Sequence, residues 1–411
     1  MVNGRAENGG LLLSDVLILT TAGNVDDGKS TLIGRLIYDC QWAFSDQLKA
    51  AAYKEKGLNL AFLTDGLKQE QDEGITIDVA HRYFQSSKRR FVLRDSPGHG
   101  QFTKNFVTAA SSAQVVILVV DASRELAAQT ARHLNMAALL NLEILVCINK
   151  MDLVDFRQTE FQKIVSGIDE LYSFTGKNKK PLKFVPVVAT EGDNVASFST
   201  RMPWYSGPTV LSWLEKVKGD ENKKNLPLRF SVQLVGADGG LMGEIIQGSI
   251  ATGNNITLPS KQIETQIEKI YYGHELVSRA EKGQAVRVYL QHSTSIKRGD
   301  ILYEKQLTRP SSSLRGTLFW LGLQNSSKDS YLIRHGTRLL QGHIDKIFNV
   351  FDFEFKNMAN SSYLKTNDVG EVSLKMHESI FSDSYSENAE TGSLLLIDPQ
   401  THETAGALLI S

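Results

Sequence analysis

GNVDDGKS, residues 23–30, indicates the fold class of this chain. It has the spacing of a phosphate-binding loop: a glycine, four residues, then Gly-Lys-Ser. The apolar run DVLILTTA precedes it, and STLIGRLIYD, with apolar residues at helical spacing, follows. A glycine loop between a strand and a helix directs backbone N–H groups and the helix N-terminus at one place, where they bind anionic oxygens. The sequence therefore predicts a nucleotide-phosphate site.

Two aspartates, Asp26 and Asp27, place negative charge inside this loop. Because backbone dipoles form the phosphate cradle, side chains between the two glycines can point away from the phosphates. Lys29 would add positive charge at the β- and γ-phosphates, and the hydroxyl of Ser30 would hold Mg²⁺. We predict that the following residues bind the nucleotide: Gly23, Asn24, Val25, Asp26, Asp27, Gly28, Lys29, Ser30 and Thr31.

The first half of the chain alternates apolar strand-like runs with helical stretches. The strand-like runs are DVLILTTAG, RRFVLRD, QVVILVVDA, EILVCIN and KFVPVVAT. Continuous apolar strands separated by helices indicate a mostly parallel sheet covered by helices on both faces. We predict an α/β P-loop domain over residues 1–222.

From residue 223 the pattern changes to short strands with glycine-containing turns. Examples are LRFSVQLV, GEIIQGSI, QAVRVYL and, later, LRGTLFWL and GSLLLID. This spacing is typical of antiparallel β-barrels. TRPSSS, near residues 308–313, interrupts the series. We predict one barrel over residues 223–310 and a second over residues 311–411.

Composition and charge narrow the class of protein. The chain has 411 residues, of which 41% are hydrophobic and 22% charged, as in ordinary globular proteins. A net charge of −1 gives no basic field for nucleic acid or anionic membranes, so neither partner is favoured. Two cysteines, Cys40 and Cys147, are too few for a disulfide framework and favour a reducing compartment. LLLSDVLIL is too short for a membrane span and lacks the features of a signal peptide. We expect a cytoplasmic protein.

NKMD, residues 149–152, follows the strand-like run EILVCI. Ligands of parallel sheets lie beyond the carboxyl ends of the strands. There Asp152 can accept hydrogen bonds from N1–H and the 2-amino group of guanine, whereas adenine offers no matching pair. Asn149 would contact the other base edge, and Lys150 would lie along the ring. We predict that Asn149, Lys150, Met151 and Asp152 recognise the base of GTP.

DSPGH, residues 95–99, also follows a strand-like run. Asp95 is placed to hold a Mg²⁺-bound water, and Gly98 to present its N–H to a γ-phosphate. His99 follows directly, where it would orient an attacking water. We predict that Asp95 and Gly98 bind GTP and that His99 is the catalytic residue.

GITID, residues 74–78, supplies Thr76. A threonine hydroxyl that completes the Mg²⁺ shell lets a switch segment sense the γ-phosphate. We predict that Ser30, Thr76 and Asp95 are the metal ligands. His81 and His133 have no comparable context and are interpreted as structural.

These motifs, in this order and followed by two barrels, resemble the translational GTPase superfamily, which includes elongation factor Tu. A closer resemblance is to one branch, the GTPase subunit (subunit 1) of bacterial sulfate adenylyltransferase. Four stretches carry it: GNVDDGKSTLIGRLIYD, AFLTDGLKQEQDEGITIDVAHRYF, MPWYSGPTVLSWLE at residues 202–215, and NDVGEVSLKMHESIFSDSYSENAETGSLLLID near the C-terminus.

The resemblance implies that the chain binds GTP with Mg²⁺ and hydrolyses it. It implies a partner, the catalytic subunit of sulfate adenylyltransferase, which forms adenosine 5'-phosphosulfate and pyrophosphate from ATP and sulfate. GTP hydrolysis would drive or activate that uphill reaction. It also implies that Ala189, in VVATEGDN, makes a backbone contact to guanine O6. Since no second phosphate loop precedes Ser411, we expect no fused kinase.

Two alternative functions remain open. One is a translation factor that delivers RNA, for which KRR at 88–90 and KNKK at 177–180 are thin support, since both are typical of solvated loops. The other is a GTP-dependent scaffold with weak hydrolysis. Gly100 motivates it, because a glycine stands beside His99 where the family tends to have an acidic residue.

Overall fold

The chain divides into two compact units, residues 1–219 and 220–411. The computed structural model describes residues 16–40, 80–95, 103–172, 180–217, 226–258, 263–292, 296–304, 310–326, 330–351, 358–359 and 361–411. The domain boundaries at 222 and 310 stay predictions.

The first unit is an α/β domain. Its described strands are β1 (Val16–Ala22), β2 (Ala80–Gln85), β3 (Arg90–Asp95), β4 (Val115–Asp121), β5 (Glu143–Asn149) and β6 (Lys183–Pro186). Its described helices are α1 (Lys29–Asp39), α2 (Thr103–Ala110), α3 (Ala128–Leu139), α4 (Gln158–Tyr172) and α5 (Val210–Lys216), with a 3₁₀ turn at Met151–Val154.

These six strands form one sheet in the order β2-β3-β1-β4-β5-β6. All neighbours run parallel except the antiparallel β2–β3 pair. Every residue of β4 is buried, because a central strand of such a sheet is covered on both faces. On α1, Leu32, Ile33 and Leu36 are fully buried against this core. The mostly parallel sheet is therefore confirmed.

The parallel direction places the carboxyl ends of β1, β3, β4, β5 and β6 at one edge of the sheet. In sequence, the phosphate loop follows β1, DSPGH begins at the end of β3, NKMD begins at the end of β5, and Ala189 follows β6. Ligand sites of doubly wound sheets lie at such an edge.

The second unit begins with a closed barrel. Six strands pair in the order β10-β15-β7-β8-β14-β11, and a further β10–β11 pairing closes the ring. They are β7 (Arg229–Val235), β8 (Leu241–Gln247), β10 (Asn255–Leu258), β11 (Ile263–Tyr272), β14 (Ala285–Leu290) and β15 (Ile301–Tyr303). Short strands β9 (Ser249–Ala251), β12 (Glu275–Val277) and β13 (Arg279–Glu281) flank it.

The second unit continues with another closed barrel. Its order is β17-β21-β22-β16-β20-β18, and a β17–β18 pairing closes it. The strands are β16 (Ser311–Trp320), β17 (Tyr331–His335), β18 (Arg338–Phe351), β20 (Val369–Ile380), β21 (Ser393–Ile397) and β22 (Thr404–Ile410), with β19 (Met358–Ala359) beside β18. The fold is thus a P-loop α/β domain followed by two antiparallel barrels, as predicted.

A buried polar seam joins the two barrels within this unit. Arg229 on β7 is fully buried and donates two hydrogen bonds to Asp383, from Nε (3.0 Å) and Nη2 (2.8 Å). Its Nη1 donates to the carbonyl of Leu228 at 3.0 Å. The rings of Tyr303 and Phe381 stack beside the guanidinium, with centroids 4.7 Å apart. The seam is consistent with the two barrels forming one compact unit.

None of the described helices is both long and apolar enough to traverse a lipid bilayer.

Candidate functional site

The phosphate loop connects the end of β1 to the start of α1. Gly23 and Gly28 have φ angles of +134° and +93°, in the region that favours glycine. A Cβ at Gly23 would lie 2.3 Å from the carbonyl oxygen of Val119, and one at Gly28 would lie 2.4 Å from Nδ2 of Asn149. Both glycines are therefore required by close approach as well as by backbone conformation.

The start of α1 suits an anion. Gly28 is its N-cap, and no side chain caps the helix and no acidic residue lies in its first turn, among the described residues. N–H groups at a helix N-terminus carry partial positive charge. Lys29 is buried beside them, and its Nζ donates to the loop carbonyl of Asn24 at 2.7 Å. Ser30 and Thr31 follow in the first turn, half-buried.

The two aspartates of the loop have different environments. Asp26 is exposed, with a φ of +65°. Asp27 is buried and accepts a hydrogen bond from the N–H of Asn24 at 2.8 Å. Burial raises the pKa of Asp27 from its ordinary value, although the Asn24 bond and the charge of Lys29 oppose the rise. Asp27 thus ties the loop to itself. GTP binding by Val25, Asp26 and Asp27 stays a prediction.

Asn149 links the phosphate loop to the segment after β6. Its Nδ2 donates to the carbonyl of Asp27 at 2.9 Å, and its Oδ1 accepts from the N–H of Ala189 at 3.0 Å. Arg35 on α1 holds the same segment through the carbonyls of Ala189 (3.2 Å from Nε) and Thr190. Asn149 therefore acts as a bracket between two loops, and the predicted base contacts of Asn149 and Ala189 remain untested.

Lys150 has a left-handed backbone, with φ at +61°, and its Nζ lies 2.8 Å from Oδ2 of Asp121. Asp121 ends β4, is buried, and also accepts from the N–H and hydroxyl of Ser123. Burial tends to raise the pKa of Asp121, but the hydrogen bonds from Lys150 and Ser123 outweigh it and lower the pKa. Asp121 stays ionised and fixes Lys150 at the sheet edge. Sequence reasoning missed Asp121, although its place at a strand end was a usable signal.

The 3₁₀ turn that begins at Met151 carries the predicted base acceptor. Met151 is fully buried and its N–H reaches the carbonyl of Val187. Asp152 follows in the first turn, half-buried. The turn ends with Asp155 and Phe156, both with positive φ. The structure brings Asp152 to the same edge as the phosphate loop, and its contact with guanine stays a prediction.

His133 on α3 supports the start of the phosphate loop. The N–H of Gly23 donates to its Nδ1 at 3.2 Å, and the ring lies 4.8 Å from that of Phe106 on α2. Burial, with the nearby charge of Lys29, lowers the pKa of His133 to about 3, so the ring is neutral. The sequence analysis placed His133 among structural residues but gave no sign of this contact, since 110 residues separate the two partners.

Several predicted residues lie outside what the structure describes. Thr76, Gly98, His99 and Gly100 are all outside the described residues. Asp95 ends β3, so its backbone reaches the carboxyl edge of the sheet. The metal-ligand and catalytic predictions are not tested.

Comparisons with known proteins agree with the geometry at the sheet edge. The family described as "Elongation factor Tu GTP binding domain" matches residues 14–236, and "GTP-eEF1A C-terminal domain-like" matches residues 314–411. Sulfate adenylyltransferase subunit 1 of Colwellia psychrerythraea is 37% identical over 95% of this chain and 86% of its own. The proteins of the same name from Francisella tularensis subsp. novicida (37%; 96% and 87%) and Citrobacter koseri (36%; 96% and 86%) match similarly.

Proposed function

The chain belongs to the family of sulfate adenylyltransferase subunit 1, and from that premise we propose that it is the GTP-binding and GTP-hydrolysing regulatory subunit of an ATP sulfurylase. Its partner is a separate catalytic subunit. There a sulfate oxygen bonds to the α-phosphorus of ATP, the bond to the bridging oxygen breaks, and pyrophosphate leaves as adenosine 5'-phosphosulfate forms. GTP hydrolysis on this chain is coupled to that step. The match to relatives of this name over 95% of the chain is the observation that supports the proposal.

Within the GTP site, the described residues have three roles. Lys29 and the N-terminal N–H groups of α1 bind the phosphates, because positive charge and uncapped donors converge there. Asp152 accepts from N1–H and the 2-amino group of guanine. Asn149 keeps the phosphate loop and the Ala189 segment in register.

The proposed metal ligands fit Mg²⁺ by their chemistry. Ser30, Thr76 and Asp95 offer hydroxyl and carboxylate oxygens, which this hard cation prefers. Bound Mg²⁺ would neutralise charge on the β- and γ-phosphates.

His99 would orient the attacking water. Substitution His99→Ala is expected to slow single-turnover GTP hydrolysis by about 10²-fold or more, in line with the loss of a general base, while GTP affinity stays within about twofold. An unchanged hydrolysis rate would make His99 structural and favour a scaffold with weak hydrolysis.

The chain's cysteines suit the cytoplasmic location that we propose. Cys40 and Cys147 are both free thiols. Burial raises the pKa of Cys40 to about 11, so it stays protonated at neutral pH.

The proposed function is tested by reconstituting the chain with a catalytic subunit of sulfate adenylyltransferase. Adenosine 5'-phosphosulfate formation from ATP and sulfate is measured with GTP, with a non-hydrolysable GTP analogue, and with neither. We expect GTP to increase product formation and the analogue to fail to sustain it. An active complex that ignores GTP would refute the proposal.

A further inference from the structure

The segment MPWYSGP, residues 202–208, has no role in the function described so far. Its Trp204 contacts one of the two turns that flank the candidate base site, and Arg201, which precedes the segment, contacts both. One is the base turn, residues 149–156, which carries Lys150 and Asp152. The other is the Ala189 turn, residues 188–193, closed by hydrogen bonds from Glu191 N and Gly192 N to the carbonyl of Val188.

Trp204 fixes the end of the base turn. Its indole Nε1 donates to the carbonyl of Phe156 at 2.9 Å. Asp155 and Phe156 are consecutive residues with positive φ, a conformation that side chains with a Cβ rarely adopt. Such strain persists only where surrounding contacts impose it. The ring of Trp204 is itself held against Phe161 of α4, with centroids 5.3 Å apart.

Arg201, just before this segment, contacts both turns. Its guanidinium makes ion pairs with Glu191 and Asp193 of the Ala189 turn. The same guanidinium lies over the ring of Phe156, 4.6 Å from its centroid, in the base turn. A planar guanidinium can pair with carboxylates at its edge and stack on an aromatic ring with its face. One side chain therefore joins the two turns.

We propose that Arg201 and Trp204 are positioning residues for guanine selectivity. Arg201 fixes the distance between the Ala189 turn and the base turn. Trp204 holds the backbone at the strained end of the base turn, and this positions Asp152 within the same turn. Neither touches the nucleotide. The inference rests on the proposed GTP site. It gives a role to Trp204 of the MPWYSGP segment and to Arg201, which precedes it.

Loss of either positioning residue should weaken recognition of the base more than binding of the phosphates. Loosening the turns displaces Asp152 from the 2-amino group of guanine, which inosine lacks. Phosphate contacts should be affected less, because Lys29 and the N-terminus of α1 belong to a different loop, which is joined to these turns through Asn149 and Arg35. Variants at Arg201 and Trp204 should therefore weaken binding of GDP more than binding of IDP.

The test measures dissociation rates of fluorescent N-methylanthraniloyl derivatives of GDP and IDP from the full chain. For Arg201→Gln we expect the dissociation rate of GDP to rise about three- to tenfold, which is the scale of losing an exposed ion pair and a cation–π contact. The dissociation rate of IDP should rise by about half as much on a logarithmic scale. Trp204→Phe keeps an aromatic ring but removes the N–H donor, and should act in the same direction. Arg201→Lys keeps the charge without the planar stack and should fall between.

Arg279→Gln is the matched control, since Arg279 is an exposed arginine paired with Glu281 in the other unit. It should leave both rates unchanged. Equal increases for GDP and IDP, or no change in any of the three variants, would overturn the inference, with folding checked by thermal melting. Failure of the wild-type chain to prefer GDP over ADP would instead refute the proposed GTP site.

Discussion

The sheet edge and the barrel seam both bury charged side chains, but they satisfy them in different ways. At the seam, Arg229 meets the carboxylate of Asp383 at 2.8 and 3.0 Å, and the hydroxyl of Thr391 donates to the same carboxylate at 2.6 Å. At the edge, Asp121 is likewise paired, with Lys150 at 2.8 Å, but Lys29 donates to a neutral carbonyl of its own loop at 2.7 Å. A matched buried ion pair holds the two barrels in one arrangement. A lysine beside uncapped helix N–H groups is instead placed to bind an anionic ligand.

Backbone conformation shows the same contrast. The edge contains Asp26, Lys150, Asp155 and Phe156 with positive φ. None of the described seam residues Arg229, Tyr303, Phe381 and Asp383 has one. Strained backbone concentrates at binding sites, where surrounding contacts impose it. Backbone conformation, as well as charge, therefore separates the candidate site from the seam.

The largest effect that we expect comes from Lys29→Ala. Removing the ammonium should weaken GTP and GDP binding by a factor of roughly 10²–10⁴, since each charge-assisted hydrogen bond to phosphate contributes about 1.5–3 kcal/mol. The free energy of unfolding should change little by comparison. Calorimetric titration of both nucleotides checks this, with Lys163→Ala as the control because Lys163 is exposed on α4. A Lys29→Ala affinity within about tenfold of the wild-type value would remove the contrast between edge and seam.

The seam should respond in stability rather than in nucleotide binding. Asp383→Ala leaves the guanidinium of Arg229 buried without its carboxylate, which should cost about 3–5 kcal/mol of unfolding free energy. Urea unfolding and nucleotide affinity of the full chain are measured together. The control is Arg338→Met, whose pair with Glu378 is partly exposed, so about 0–1 kcal/mol is expected. A stable Asp383→Ala variant with impaired nucleotide binding would reverse the assignment of the two regions.

His133 should give a smaller effect that links stability to the phosphate loop. His133→Phe leaves the N–H of Gly23 without its acceptor, at a cost of about 1–3 kcal/mol. His133→Asn keeps an acceptor near the position of Nδ1 and should recover part of this. Nucleotide dissociation and urea unfolding of both variants test it. Equal behaviour of Phe and Asn would show that ring packing, rather than the hydrogen bond, is what matters.

The low pKa of His133 also predicts a pH dependence. Burial keeps the ring neutral in the folded chain down to a pKa of about 3, whereas its ordinary value is 6.5. Below pH 6.5 the unfolded chain takes up a proton that the folded chain does not. Above pH 6.5, His133 therefore does not reduce the free energy of unfolding. As the pH falls from 6.5 toward 3, protonation of the unfolded chain lowers that free energy by about 1.4 kcal/mol per pH unit. The wild type should lose stability more steeply than His133→Asn over this range.

The phosphate loop, its flanking elements and the parallel sheet were predictable because local signals agreed. An apolar strand, glycines at fixed offsets and helical spacing in STLIGRLIYD all indicate one arrangement. The antiparallel barrel architecture of the second half was also predictable, but not the bounds of every strand. Their longest strand, β18, was missed because two register shifts break its alternation of buried and exposed residues.

The supports of the site were less predictable than its motifs. Gly23 and His133 are 110 residues apart, and Arg35 and Ala189 are 154 apart. No local pattern encodes such contacts, since they arise only when the sheet brings strand ends together. Asp27 shows the same limit: the stretch that contains it carries the family resemblance, while its hydrogen bond to Asn24 required the folded loop.

We propose that guanine nucleotide at this sheet edge drives adenylyl transfer on the partner. Asp152→Asn tests it most directly, because an asparagine amide can donate to the 2-oxo group of xanthine where a carboxylate cannot. The variant is reconstituted with the catalytic subunit, and adenosine 5'-phosphosulfate formation is measured with GTP and with xanthosine triphosphate. We predict that xanthosine triphosphate stimulates the variant complex and GTP no longer does, with the reverse for the wild type. Unchanged stimulation of the variant by GTP would contradict the account.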